Sequence, residues 1–134
     1  MEKSKDIKAM VTETELTVQG TFDVTMELNG KKIKIEYFCG ERGRGAESIA
    51  TGIDPEDMEY MNKVFNGDSK KAVKLLVYTF YSTLSMLIEK EGKENVLEEL
   101  KSLEEDAKEG QRRLKRLYDF VSDDTNFAVM SIAG

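Results

Sequence analysis

The stretch that most constrains this chain is Ala72 to Ile88, AVKLLVYTFYSTLSMLI, which is apolar on nearly every side of a helix. A helix that is hydrophobic all round must be buried, either in a core or in a membrane. The polar residues Lys74, Thr79, Ser82, Thr83 and Ser85 interrupt it, and a span needs about 20 predominantly apolar residues. The reading is therefore a central core helix over 69–91, with no membrane partner. Asp68 or Ser69 can cap its start, because a short side-chain oxygen accepts from an orphan first-turn amide. Gly92 can end it, because glycine takes left-handed backbone at no steric cost. A helix with two apolar faces needs two covers, and the chain must supply them.

The segment before it supplies a sheet. Over 12–39 apolar residues alternate with polar ones: Leu16 and Val18, then Phe22, Val24, Met26 and Leu28, then Ile33, Ile35 and Tyr37. Asn29-Gly30 between the last two runs is a strong hairpin signal, since a type I′ turn needs positive φ at both positions. An antiparallel sheet of three or more strands follows, with one apolar face. Residues 40–53 hold four glycines and read as a glycine/arginine loop. A short helix over 55–65 follows, with Pro55 at its first position and acids in its first turn.

After Gly92, the residues Val96, Leu100, Leu103, Ala107, Gly110, Leu114, Leu117 and Val121 recur at spacings of 4 and 3 in strict alternation. This heptad seam predicts one long helix over 94–121. Gly110 inside it costs about 1 kcal/mol relative to alanine and marks a close backbone approach or a kink. The fold class expected is α+β, a single domain over 1–134, packed as a sheet, a short helix and two long helices. The seam and the two-faced central helix predict a homodimer or a higher homo-oligomer. The apolar tail NFAVMSIAG reads as a short strand or a docked end.

Composition removes several function classes. There is no histidine and only one cysteine, Cys39. The commonest general base and metal ligand are thus missing, no nucleophile–base pair is apparent, and neither a metal nor a cofactor is expected. The chain reads as a binding protein, not an enzyme. A lone cysteine and no signal peptide fit a reducing, cytoplasmic setting. The formal charge is −6, so nucleic acid is not an expected partner.

The five arginines fall in two places: Arg42 and Arg44 in the glycine-rich loop, and Arg112, Arg113 and Arg116 on the last helix. Arginine suits bidentate recognition of phosphate or carboxylate. Arg112 and Arg116 are four apart and share a helix face, and glycines permit backbone nests that cradle anions. The plainer alternative is a solvated patch that complements the helix dipole. Tyr78, Phe80 and Tyr81 read first as core residues.

The layout of an N-terminal antiparallel sheet and two C-terminal helices, with Asn95 near the start of the last helix and Arg112 and Arg116 further along it, resembles the Thoeris anti-defence sponge proteins of the first type. That family of small phage proteins sequesters the cyclic ADP-ribose signals of TIR-domain enzymes. Some members also hold cyclic oligonucleotides at a separate site. The resemblance implies a small phosphorylated cyclic nucleotide as partner, bound without cleavage. It implies ligand contacts from Asn95, Arg112 and Arg116, an aromatic pocket wall at Phe80 or Tyr81, assemblies from dimers up to a hexamer, and, for a phage origin, the host-cell cytoplasm. Arg113 belongs with its two neighbours, and Arg42 and Arg44 would close over the ligand. The alternatives from other classes are an acidic inhibitor of a host nucleoprotein, of the anti-CRISPR kind, and a structural oligomer without ligand.

Overall fold

A computed structural model of the chain describes residues 7–39 and 49–123. The fold is α+β, as the sequence pattern predicts. Strands β1 (Ala9–Leu16), β2 (Phe22–Leu28), β3 (Lys31–Cys39) and β4 (Ile49–Gly52) form one antiparallel sheet in sequential order. Helices α1 (Pro55–Val64), α2 (Ser69–Glu91), α3 (Lys93–Asp106) and α4 (Gln111–Ser122) follow.

The period-two pattern places one face of the sheet against the helices. Phe22, Val24, Met26 and Leu28 of β2 and Ile33, Ile35, Tyr37 and Cys39 of β3 are all buried. The hairpin between them turns at Asn29 (φ 48°) and Gly30 (φ 91°), and its register pairs Leu28 with Lys31. The Asn29 side chain also accepts from the Lys8 amide at 2.7 Å, so the hairpin turn fixes the chain that enters β1. Two features differ from the sequence expectation. The first strand starts at Ala9 and ends at Leu16, so Val18 lies in the following turn, half exposed. The loop over 40–53 gives way at Ile49 to a fourth strand, whose four residues are too few to show a periodicity of their own.

α2 lies on this face. Asp68 caps it through bonds from the Lys70 and Lys71 amides (3.2 and 3.3 Å), and Gly92 ends it at φ 91°. Its Phe80 ring is fully buried and touches Phe22, Tyr37, Tyr81 and Phe120. Tyr37 donates from its hydroxyl to the Leu76 carbonyl (2.6 Å), which satisfies the one polar atom this cluster buries on the sheet side. Each such large side chain contributes roughly 1.5–3 kcal/mol through burial. By length and composition α2 alone among the described helices is apolar enough to cross a membrane, yet its buried stripe packs on the sheet. The burial expected on every side is not found among the described residues: Val73, Tyr78 and Met86 remain more than half exposed.

The single helix expected over 94–121 is instead a hairpin of two. The seam is real: Val96, Leu100, Ala107, Leu114, Leu117 and Val121 are all buried. It closes inside one chain because α3 and α4 fold back on each other. Lys93 at the start of α3 donates to the Ser122 carbonyl at the end of α4 (3.3 Å), and Gln111 at the start of α4 donates to the Glu104 carbonyl near the end of α3 (3.2 Å). The break is at Gly110, whose φ of 86° is left-handed and whose missing Cβ leaves room for the Gln19 backbone. A continuous helix would carry α4 away from the sheet and expose half of this seam. The seam therefore supplies core within one chain.

Candidate functional site

The corner where α4 begins is built by two glycines that meet. The turn between β1 and β2 closes on itself: Thr17 donates its amide to the Thr21 carbonyl (3.0 Å), and the Thr17 and Thr21 hydroxyls share a 2.7 Å bond. That leaves Gly20 at φ 86° directly under α4, where any Cβ would collide with the Cβ of Arg113. Gly110 answers from the helix side, against Gln19. The start of α4 is therefore fixed on the sheet to within van der Waals contact.

This docking gathers positive charge. Gln19, Lys108, Glu109, Gly110, Gln111, Arg112, Arg113 and Arg116 line a concavity of about 600 Å³. Four cations face one acid there. Arg112 is exposed, while Arg113 lies over the Phe38 ring with its guanidinium carbon 4.6 Å from the centroid. That stacking holds the fork in place without consuming its hydrogen-bond donors. Burial pushes the Cys39 thiol up to about 12, and the positive charge of Arg116 offsets only part of that rise. No side chain caps α4, and its first helical bond runs from the Leu114 amide to the Gly110 carbonyl (2.9 Å). The preceding amides of the first turn are then open to an anion, which the helix dipole also favours.

The structure sorts the residues that the sequence singled out. Arg112, Arg113 and Arg116 come together. Asn95 does not join them: it sits at the start of α3, exposed, donating to the Glu91 carbonyl at 2.6 Å and so helping to close α2. The helical stretch from Asn95 to the corner is about 16 Å long at 1.5 Å per residue. Phe80 is at 0% exposure and Tyr81 at 8%, both within the aromatic cluster, and neither lines the corner concavity. Arg42 and Arg44 lie outside the described residues, as does the tail. The loop that carries them leaves from Cys39 and returns at Ile49, which pair across β3 and β4. The sequence reading missed Lys108, Gln19 and the uncapped helix start. The one available signal was Gly110, a glycine at a seam position where a close approach was expected.

Among the described residues no group of three or more acids or cysteines is arranged to hold a metal ion. No protein-family profile, no curated protein and no solved structure matches the chain.

Proposed function

We propose that the chain binds and sequesters a small phosphorylated nucleotide at the start of α4, and that it does so without turnover. The observation that carries this reading is the convergence of Arg112, Arg113, Arg116 and Lys108 on one concavity at an uncapped helix start. Its volume of about 600 Å³ lies in the range that holds a small ligand. Arginine forks and oriented amides recognise phosphate oxygens by geometry as well as charge. The site offers no histidine, and no cysteine lines it. The only candidate base beside a bound phosphoanhydride is then the carboxylate of Glu109.

The resemblance to the Thoeris sponge proteins names the ligand class, a cyclic ADP-ribose signal. Asn95 does not line the arginine concavity, so this fuller reading adds an asparagine contact that a second copy could bring. A mass of about 15 kDa in solution, that of one 15.2 kDa chain, leaves the arginine site to act alone. The test of the main proposal is to expose the purified protein to cyclic ADP-ribose isomers and cyclic dinucleotides, remove free ligand, denature by heat and identify what is released by mass spectrometry. Intact cyclic nucleotide is the expected product. A linear product, or nothing released from any of the ligands, would overturn the reading.

A further inference from the structure

A second concavity lies between β1 and α2. It measures about 860 Å³ and is lined by Met10 and Val11 of β1 and by Leu75, Tyr78 and Met86 of α2, with Glu13 on the strand side and Glu89 and Lys90 at the end of α2 as its charged residues. β1 is an edge strand, paired with β2 alone among the described strands. Its other side presents a row of backbone groups with no strand beside them, the usual template for strand addition. Met10, Tyr78 and Met86 are each 59–65% exposed. An open strand edge beside an apolar helix stripe offers hydrogen bonds to a main chain and cover for its alternate side chains.

Charge selects the occupant. Glu13 and Glu15 point to the outer face of the sheet, opposite Thr25 and Asp23 of β2, so neither has a basic residue across the pair. No lysine or arginine occurs between Ala9 and Leu16. Glu27 of β2 does face Lys32 of β3, but Asp23 faces Glu36, so Glu15, Asp23 and Glu36 form an acidic row across the outer face that ends at the open edge of β1. Two copies of β1 pairing edge to edge would crowd four carboxylates with no counter-charge, and like charges opposite each other oppose pairing. A strand with apolar residues toward α2 and basic residues on the outer face meets both demands. The lining of Ala9 to Thr14 is about 20 Å of extended chain at 3.3 Å per residue.

We propose that this groove takes an extended segment of another protein, alternating basic and apolar residues, which adds to β1 as a fifth strand. The probes are two labelled synthetic peptides, one alternating lysine and valine and one alternating glutamate and valine, followed by fluorescence anisotropy. The lysine peptide should bind about tenfold tighter, the effect of favourable against like-charge cross-strand pairs. In Glu13→Lys/Glu15→Lys that preference should invert. In Tyr78→Ser/Met86→Ser both peptides should weaken by about tenfold or more, with the circular dichroism spectrum unchanged because both positions are exposed. N-methylation of alternate amides in the lysine peptide should abolish binding, since it removes the main-chain donors. Three results would overturn the proposal: no binding by the lysine peptide, a preference unmoved by the charge reversal, or a wild-type dimer that buries Tyr78 and Met86.

Discussion

The start of α4 and the groove beside β1 are both concave, and their chemistry is opposite. The first is polar and basic, with four cations around an uncapped helix start. The second is mainly apolar, with Glu13, Glu89 and Lys90 as its charged lining. A formal charge of −6 conceals this division. Net charge describes the whole surface, whereas a ligand meets a few side chains that the backbone brings together. The difference also has a structural origin. The arginine site sits where two glycines lock helix to sheet, whereas the groove sits where the sheet ends and nothing in the described chain covers it.

The sharpest way to break this comparison is to break the framework beneath one side only. Leu114, on the inner side of α4, is fully buried within its own chain. Leu114→Glu should therefore unfold the protein, at a cost of roughly 4 kcal/mol or more for an unpaired buried carboxylate. Met86→Glu in the groove should leave stability within about 0.5 kcal/mol, as for an exposed position. Urea denaturation of the two variants separates them, and equal losses would mean that the groove is core.

Gly110→Ala comes next. Its left-handed φ and its contact with the Gln19 backbone should together cost about 2 kcal/mol or more. Because the change lifts the start of α4 from the sheet, it should also weaken nucleotide binding. A thermal melt and a binding titration on the same sample check both.

Alkaline pH should then act on the sheet end behind the arginines. Burial raises the Cys39 thiol from an ordinary 9.0 to about 12, and burial also raises Tyr37 from its ordinary value. Folding favours the protonated forms, so their contribution is complete below pH 9 and is lost as pH rises above it. Between pH 9 and 12 the thiol alone should remove about 1.4 kcal/mol of stability per pH unit. Cys39→Ala should flatten that slope in denaturant titrations taken across the range. A slope unaltered by the substitution would remove the thiol from the account.

The smallest effect expected is at Asp68. Its side chain holds the Lys70 and Lys71 amides, and Asp68→Ala should cost about 1 kcal/mol, visible as a lower urea midpoint with ligand affinity unchanged.

How much of this was legible in the sequence follows from the range of the forces involved. The strands, the Asn29-Gly30 turn and the Asp68 and Gly92 ends of α2 are local, and period, turn chemistry and capping specify them within a few residues. The seam from Val96 to Val121 was legible as apolar spacing, but spacing does not say which partner an apolar stripe meets. A regular heptad pattern continues across Gly110, and only the contact with Gln19, ninety-one positions away in sequence, shows why the chain must turn there. The same limit applies to the site. Three arginines on one short helix were identifiable as a group, whereas Lys108 and Gln19 join them only through tertiary docking. Asn95 and Phe80 illustrate the converse: residue types suited to a pocket, placed by the fold at a helix junction and in the core.

The central claim is that the arginine end of α4 grips a phosphorylated nucleotide. Calorimetric titration of the wild type, Arg112→Ala and Arg112→Lys with cyclic ADP-ribose isomers tests it most directly. The account predicts binding by the wild type and losses of about 2–5 kcal/mol on truncation, a factor of tens to thousands in affinity. It predicts a loss for lysine too, which keeps the charge but lacks the planar fork. Asn95→Ala should leave the affinity of a monomer unchanged. Wild-type affinity in both Arg112 variants would contradict the claim and make the α4 arginines a solvated patch.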